Sequence, residues 1–248
     1  GLLAAYTLDW DDPSITWTTP TGPNTLTVGG LDVIGTVTGT AGGLSTLQAG
    51  YPQINADNTG GLTNPLDDTP VFEQALAISS NGFAAGDYVD ITFDFSAFGA
   101  VSNVRFLLID IDTAGGGIDF VDQMIVTANG ATINPTAIVN SPAANLVAGY
   151  GNPVVEGAAP QDGPYNLVSG GNTITGDAVL DENAPNAASN GNAWIEFNTG
   201  GITSLSIRYQ NARGASTQGI SIHDIRFEAS PPTITSNGGG ATAAVSVA

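Results

Sequence analysis

The strongest constraint on how this chain folds lies at residues 104–112, Val104-Arg105-Phe106-Leu107-Leu108-Ile109-Asp110-Ile111-Asp112, its most apolar stretch. A membrane-crossing helix needs about 20 apolar residues, and this run is far too short. Flanked by turn residues and rich in branched side chains, it predicts a strand buried on both faces. A Gly-rich turn at 115–117 follows, then Ile118 to Thr127, so the sequence predicts a hairpin. Side chains two apart on a strand point the same way, which would send Asp110 and Asp112 off one side of the sheet. Asp119 and Asp122 follow closely. Four carboxylates around one hairpin repel unless a positive group sits among them, and calcium is the cation that short, oxygen-rich Asp side chains suit best.

The positive groups are scarce. Among 248 residues there are four basic ones, Arg105, Arg208, Arg213 and Arg226, against 23 acids, a net charge of -19. Nucleic acid and anionic membrane surfaces are poor partners, because both require a positive footprint. No transmembrane run or signal peptide is present, and Gly at position 1 predicts a chain processed or cut from something longer. Cysteine is absent, which removes disulfides, thiol catalysis and Cys-based zinc sites. An acidic, Lys-free chain with 33 Gly predicts a secreted, extracellular protein of a cell surface.

The remaining pattern is also that of strands. In residues 86–95, Val89, Ile91, Phe93 and Phe95 alternate with Tyr88, Asp90, Thr92 and Asp94, the mark of a half-buried antiparallel strand. Residues 4–10, 14–18, 25–28, 31–38 and 71–79 predict further strands, the last with a helical turn as rival. Gly29-Gly30 reads as a two-residue hairpin turn. Residues 40–70 predict a long loop with another cation candidate at Asp67 and Asp68, and 176–191 a second polar loop. Weaker strands fall at 132–133, 137–139, 165–168 and 173–175, and clear ones at 193–197, 204–209 and 219–228. In the last, Ile220 and Ile222 share one face while Ile225 and Phe227 share the other, which predicts a β-bulge near His223-Asp224. No helix of ordinary length is legible. The expected fold is an all-β antiparallel β-sandwich, a jelly roll, with long Gly/Asn/Thr-rich loops. It spans residues 1–229, followed by a linker and a strand segment at 230–248.

The runs at 106–112, 122–128, 202–209 and 219–227 resemble the jelly-roll modules of large bacterial surface and adhesin-type proteins, themselves similar to carbohydrate-binding jelly rolls. The resemblance covers roughly residues 85–229. The tail from Pro231 to Ala248 is similar to the first strand of a cadherin-like repeat, but stops before any calcium ligands of that repeat. The resemblance implies a non-enzymatic, calcium-stabilised structural or adhesive module. It also implies a calcium where first and last strands meet, a place that Asp9, Asp11 and Asp224 fit.

Enzyme readings find little purchase. His223 is the only histidine, no Gly-x-Ser-x-Gly elbow is present, and Asp90 and Asp94 are expected to pair with an arginine of a neighbouring strand such as Arg105. Trp10, Trp17 and Trp194 are expected in the core, while Tyr51, Tyr150 and Tyr165, among Gly, Pro and Asn, are candidates to stack on a sugar. Partners are then copies of the chain or adjacent domains, or glycans. Residues 243–247 could add a strand to a neighbouring subunit and build a fibre, or return onto their own domain.

Overall fold

A computed structural model of the chain describes residues 2–55, 74–111, 113–114, 119–140, 171–176, 193–236 and 243–246. Two antiparallel sheets pack face to face as an all-β sandwich. Sheet A holds β1 (Ala4–Leu8), β4 (Gln53–Asn55), β5 (Ala75–Ser80), β7 (Val101–Ile109), β10 (Ala137–Asn140), β12 (Ala193–Phe197), β14 (Gln218–Ile222) and β15 (Ile225–Ala229). Sheet B holds β2 (Asn24–Val28), β3 (Leu31–Gly39), β6 (Tyr88–Asp94), β8 (Thr113–Ala114), β9 (Phe120–Ala128), β11 (Thr173–Thr175) and β13 (Ser204–Gly214). From β6 to β14 the described strands alternate between the sheets except at β8 and β9, which pair within sheet B, so most strands adjacent in sequence lie across the core from each other. A separate two-stranded sheet pairs β16 (Thr233–Ser236) with β17 (Ala243–Ser246).

The alternating patterns become the core. Val89, Ile91 and Phe93 of β6 are fully buried, as are Leu205, Ile207 and Tyr209 of β13. Opposite them stand Phe106 and Leu108 of β7, Ile195 and Phe197 of β12, and Ile220, Ile222 and Ile225. One end is closed by aromatic rings: Phe227 stacks on Tyr6 at 5.6 Å and meets Phe98 edge-on at 5.0 Å. Truncating a ring so placed costs about 3–5 kcal/mol. Leu107 and Ile109 are buried as well, so β7 is covered on both faces from Phe106 to Ile109, while Arg105 within the predicted stretch is exposed.

Gly29-Gly30 forms the expected two-residue turn, with Val28 paired to Leu31 and φ of 58° and 84°, values that glycine adopts without strain. The bulge at His223-Asp224 is also present. From Ile222↔Leu108 to Arg226↔Arg105 one strand advances four residues and β7 three. The extra residue lets Ile222 and Ile225 both face inward.

Other expectations are corrected. Residues 104–127 are not one hairpin: β7 and β9 lie in different sheets, and within this segment the described pairing is that of the short β8 with β9. Alternation also stops at Ile109, because Asp110 takes φ 69° as the chain leaves sheet A. Residues 14–18 form no strand. Asp12 Oδ1 accepts from the Ser14 backbone N and Oγ, both at 2.8 Å, and this turn competes with ladder pairing. Trp17 instead fills the space above Gly35, where a Cβ would meet its ring at 2.4 Å. The segment from residue 40 opens with a short helix, α1 (Ala41–Thr46), whose N-cap Thr40 Oγ1 accepts from Gly43 N. Of the stretch 71–79, Ala75 onward forms a strand, β5, and residues 71–73 lie outside the described residues. The strand at 165–168 and Asp67 and Asp68 lie outside the described residues.

Candidate functional site: the outer face of sheet B

Three rungs cross the solvent side of sheet B. Thr36, Thr92, Ser206 and Thr127 form one; Thr38, Asp90, Arg208, Ile125 and Thr173 the next; Tyr88, Gln210, Gln123 and Thr175 the third. These are the positions between the inward apolar residues of β6, β13 and β9, so the period of two that builds the core also lays out this polar face.

Its side chains hold one another. Arg208 Nε donates to Asp90 Oδ1 at 2.8 Å and Nη2 to Oδ2 at 2.9 Å, a bidentate pair. The Arg208 guanidinium carbon sits 3.6 Å from the centre of the Tyr88 ring. The bond to Asp90 pushes the Arg208 pKa above its ordinary range, with partial burial pulling the other way. Gln210 Nε2 donates to Gln123 Oε1 at 2.6 Å, and Gln123 Nε2 to Thr175 Oγ1 at 3.0 Å. Beside this network is a depression of about 300 Å³ whose lining includes Asp90, Thr127, Ala131, Asn172, Ser206 and Arg208. Asn172 is fixed there by donating to Asn134 Oδ1 and accepting from Thr173 Oγ1. Hydroxyls, amides and a charged pair in one shallow bowl offer hydrogen-bond donors and acceptors side by side. It holds no His or Cys and one carboxylate, already engaged by Arg208.

Sequence reasoning placed Asp90 on an exposed face and expected an arginine partner, but named Arg105. The partner is Arg208, 118 residues away, while Arg105 lies in the other sheet. The signal available was the parity of 204–210, where Ser206, Arg208 and Gln210 alternate with Leu205, Ile207 and Tyr209.

The candidate metal residues divide. Asp122 is fully buried, and its Oδ1 accepts from Tyr209 Oη and Gln218 Nε2, each at 2.7 Å. Asp119 is exposed. Asp110 is buried, and desolvation pushes its carboxyl up from 3.8 to about 7. Asp112 lies outside the described residues. At the junction of first and last strands, β1 pairs with β15 as that expectation requires, and Asp224 Oδ1 accepts from Trp10 N at 2.9 Å. Asp9 accepts from Asp11 N, and Asp11 from Gln74 N. Among the described residues no three His, Asp or Glu side chains are placed to share a metal ion.

Of the proposed sugar-stacking residues, Tyr51 is partly buried and is not among those lining the depression. Tyr150 and Tyr165 lie outside the described residues. Trp10 and Trp194 are buried, and Trp17 packs against the core. His223 is fully buried in the bulge, its backbone N bonded to Leu107 O.

The chain matches no protein-family model, no curated protein and no solved structure.

Proposed function

We propose that this protein is a non-enzymatic adhesive β-sandwich module that binds glycans through the outer face of sheet B. The observation that carries the reading is the depression flanked by the Asp90–Arg208 pair and Asn172, whose polar groups are oriented by bonds among themselves before any ligand arrives. Preorganisation of this kind lowers the ordering cost of binding. A cell-surface setting agrees with the composition, which has no Lys, no Cys and 23 acids. Neighbouring domains or copies meet the module through residues 230–248. A two-stranded sheet such as β16–β17 is marginal alone in water and gains from a companion surface.

The test is a glycan array with the full chain, repeated with Asp90→Asn and with Arg105→Gln on the far face. Selective binding lost in Asp90→Asn and kept in Arg105→Gln is expected. Silence across the array would leave a purely structural module.

Calcium enters the proposal at one place. Gln218 Oε1 and Asn211 Oδ1 are buried acceptors without a donor among the described residues. Asn211 faces Asp122 across the β9–β13 pair, and Gln218 is bonded to Asp122. One carboxylate and two amide oxygens, completed by carbonyls and water, are a calcium ligand set. A ion bound only by the folded state raises Tm, so chelator should lower it, and an unchanged melting curve removes the ion from the account.

A further inference from the structure

Ala131 holds a backbone conformation that alanine avoids. Its φ is 68°, the last of three successive left-handed residues after Asn129 at 51° and Gly130 at 63°. Elsewhere among the described residues that region is taken by Gly, or by Asn103 and Asp110, types that enter it readily. The Cβ of alanine is crowded there, and glycine would relieve the strain. Ala131 is exposed, so burial in the core does not offset the strain. Its turn is firmly held. Asn129 Oδ1 accepts from Thr203 N, Asn129 Nδ2 donates to Gly201 O and Thr132 Oγ1 donates to Asn129 O, each at 2.8 Å. The turn borders the depression of sheet B, whose lining includes Gly130 and Ala131. Ile125 lines it too, as the apolar member of an outward rung otherwise made by Thr38, Asp90, Arg208 and Thr173. Beside Ile125, Thr127 and Ser206 are register partners, and their hydroxyls are bonded to no other described residue.

We propose that the depression selects sugars by a methyl group, seated against Ile125 and Ala131 while the ring oxygens bond Thr127, Ser206 and Asn172. The inference rests on the glycan reading and adds the class of sugar. Backbone strain kept at a surface position points to a use for the side chain that causes it, and here that side chain is one methyl at the edge of a polar bowl. The described lining holds no aromatic ring, and Tyr88 on the same face is taken up by Arg208. The face of a sugar ring therefore has nothing broad to stack on. Ile125 and Ala131 together offer an apolar contact of about the size of a methyl group. A cavity of about 300 Å³ is at the small end of ligand sites and suits a single sugar residue. The methyl comes from one of two sources, the C6 of a 6-deoxyhexose or the acetyl of an N-acetylhexosamine.

The experiment is an NMR titration of the full chain with three pairs of free sugars, following the amide signals of Ile125, Thr127, Ala131 and Ser206. The pairs are L-fucose with L-galactose, L-rhamnose with L-mannose, and N-acetylglucosamine with glucose. In at least one pair the methyl-bearing member should bind about tenfold more tightly than its counterpart. Preference within the first two pairs assigns the 6-deoxy source, and within the third the acetyl source. Ala131→Gly removes the methyl and suits a φ of 68°, so its Tm should equal or exceed the parent's while the favoured sugar binds about fourfold more weakly. Ile125→Thr, which keeps a β-branched side chain in the strand, should weaken it by at least as much. Neither variant should alter binding of the counterpart sugar. Equal binding within every pair overturns the proposal and leaves the glycan reading standing. So does a preference that both variants retain, or a fall in Tm in Ala131→Gly, which would assign the methyl to the fold. Silence of all six sugars overturns the proposal as well, and silence of the glycan array besides would remove the glycan reading with it.

Discussion

The two outer faces of the sandwich treat arginine in opposite ways. On sheet B, Arg208 is gripped by both oxygens of Asp90 and lies over the Tyr88 ring, so its charge is answered in place. On sheet A, Arg105 faces Arg226, and the nearby glutamates are bonded to amide and indole donors. A face whose charges are satisfied internally presents a rigid, neutral-seeking surface. On the other face two arginines share a rung, Arg105 exposed and Arg226 half-buried. The interior supplies a third case: Asp110 is removed from water, and burial pushes its carboxyl up from 3.8 to about 7.

The largest expected effect tests that third case. The folded state binds the Asp110 proton more tightly than the unfolded chain. Its contribution to stability is therefore fully present below about pH 3.8 and is lost as pH rises through about 7. At about 1.4 kcal/mol per pKa unit, the loss is on the order of 4 kcal/mol at most. Asp110→Asn removes the titration and suits the φ of 69°, a region Asn enters readily. Its Tm should exceed the parent's at about pH 8 and converge with it at acid pH, where both side chains are uncharged. Parallel Tm profiles would contradict this, and a cation bound at Asp110 would reverse the sign.

Smaller effects separate the faces. Arg208→Met should cost about 1 kcal/mol in urea unfolding, since a partly exposed ion pair and a cation–π contact are lost. Arg105→Met should be neutral or stabilising by about a few tenths of a kcal/mol, because it removes an opposed like charge. Equal losses in the two variants would break the comparison.

Much of the scaffold was legible before any coordinates. The alternation at 88–95 identified an inward and an outward face, and the outward one carries Asp90. Gly29-Gly30 announced its turn, and the change of parity between Ile222 and Ile225 announced the bulge. Those signals are local, set by neighbours a few residues apart. The misreadings share one cause. The 104–127 segment looked like a hairpin because a turn follows a strand, but the chain crosses to the other sheet at Asp110. Residues 14–18 looked like a strand until Asp12 turned the backbone.

From the amino-acid order alone came the all-strand architecture, the inward and outward residues of each clear strand, and the exclusion of thiol chemistry. Tertiary structure alone decided which outward residues meet: Asp90 with Arg208, Arg105 with Arg226, Asp122 with Tyr209 and Gln218. The reason is physical. Side-chain direction along a strand follows from a repeat of two in the chain itself, whereas lateral pairing depends on which strands the alternating crossovers bring side by side, over separations that local sequence pattern does not encode.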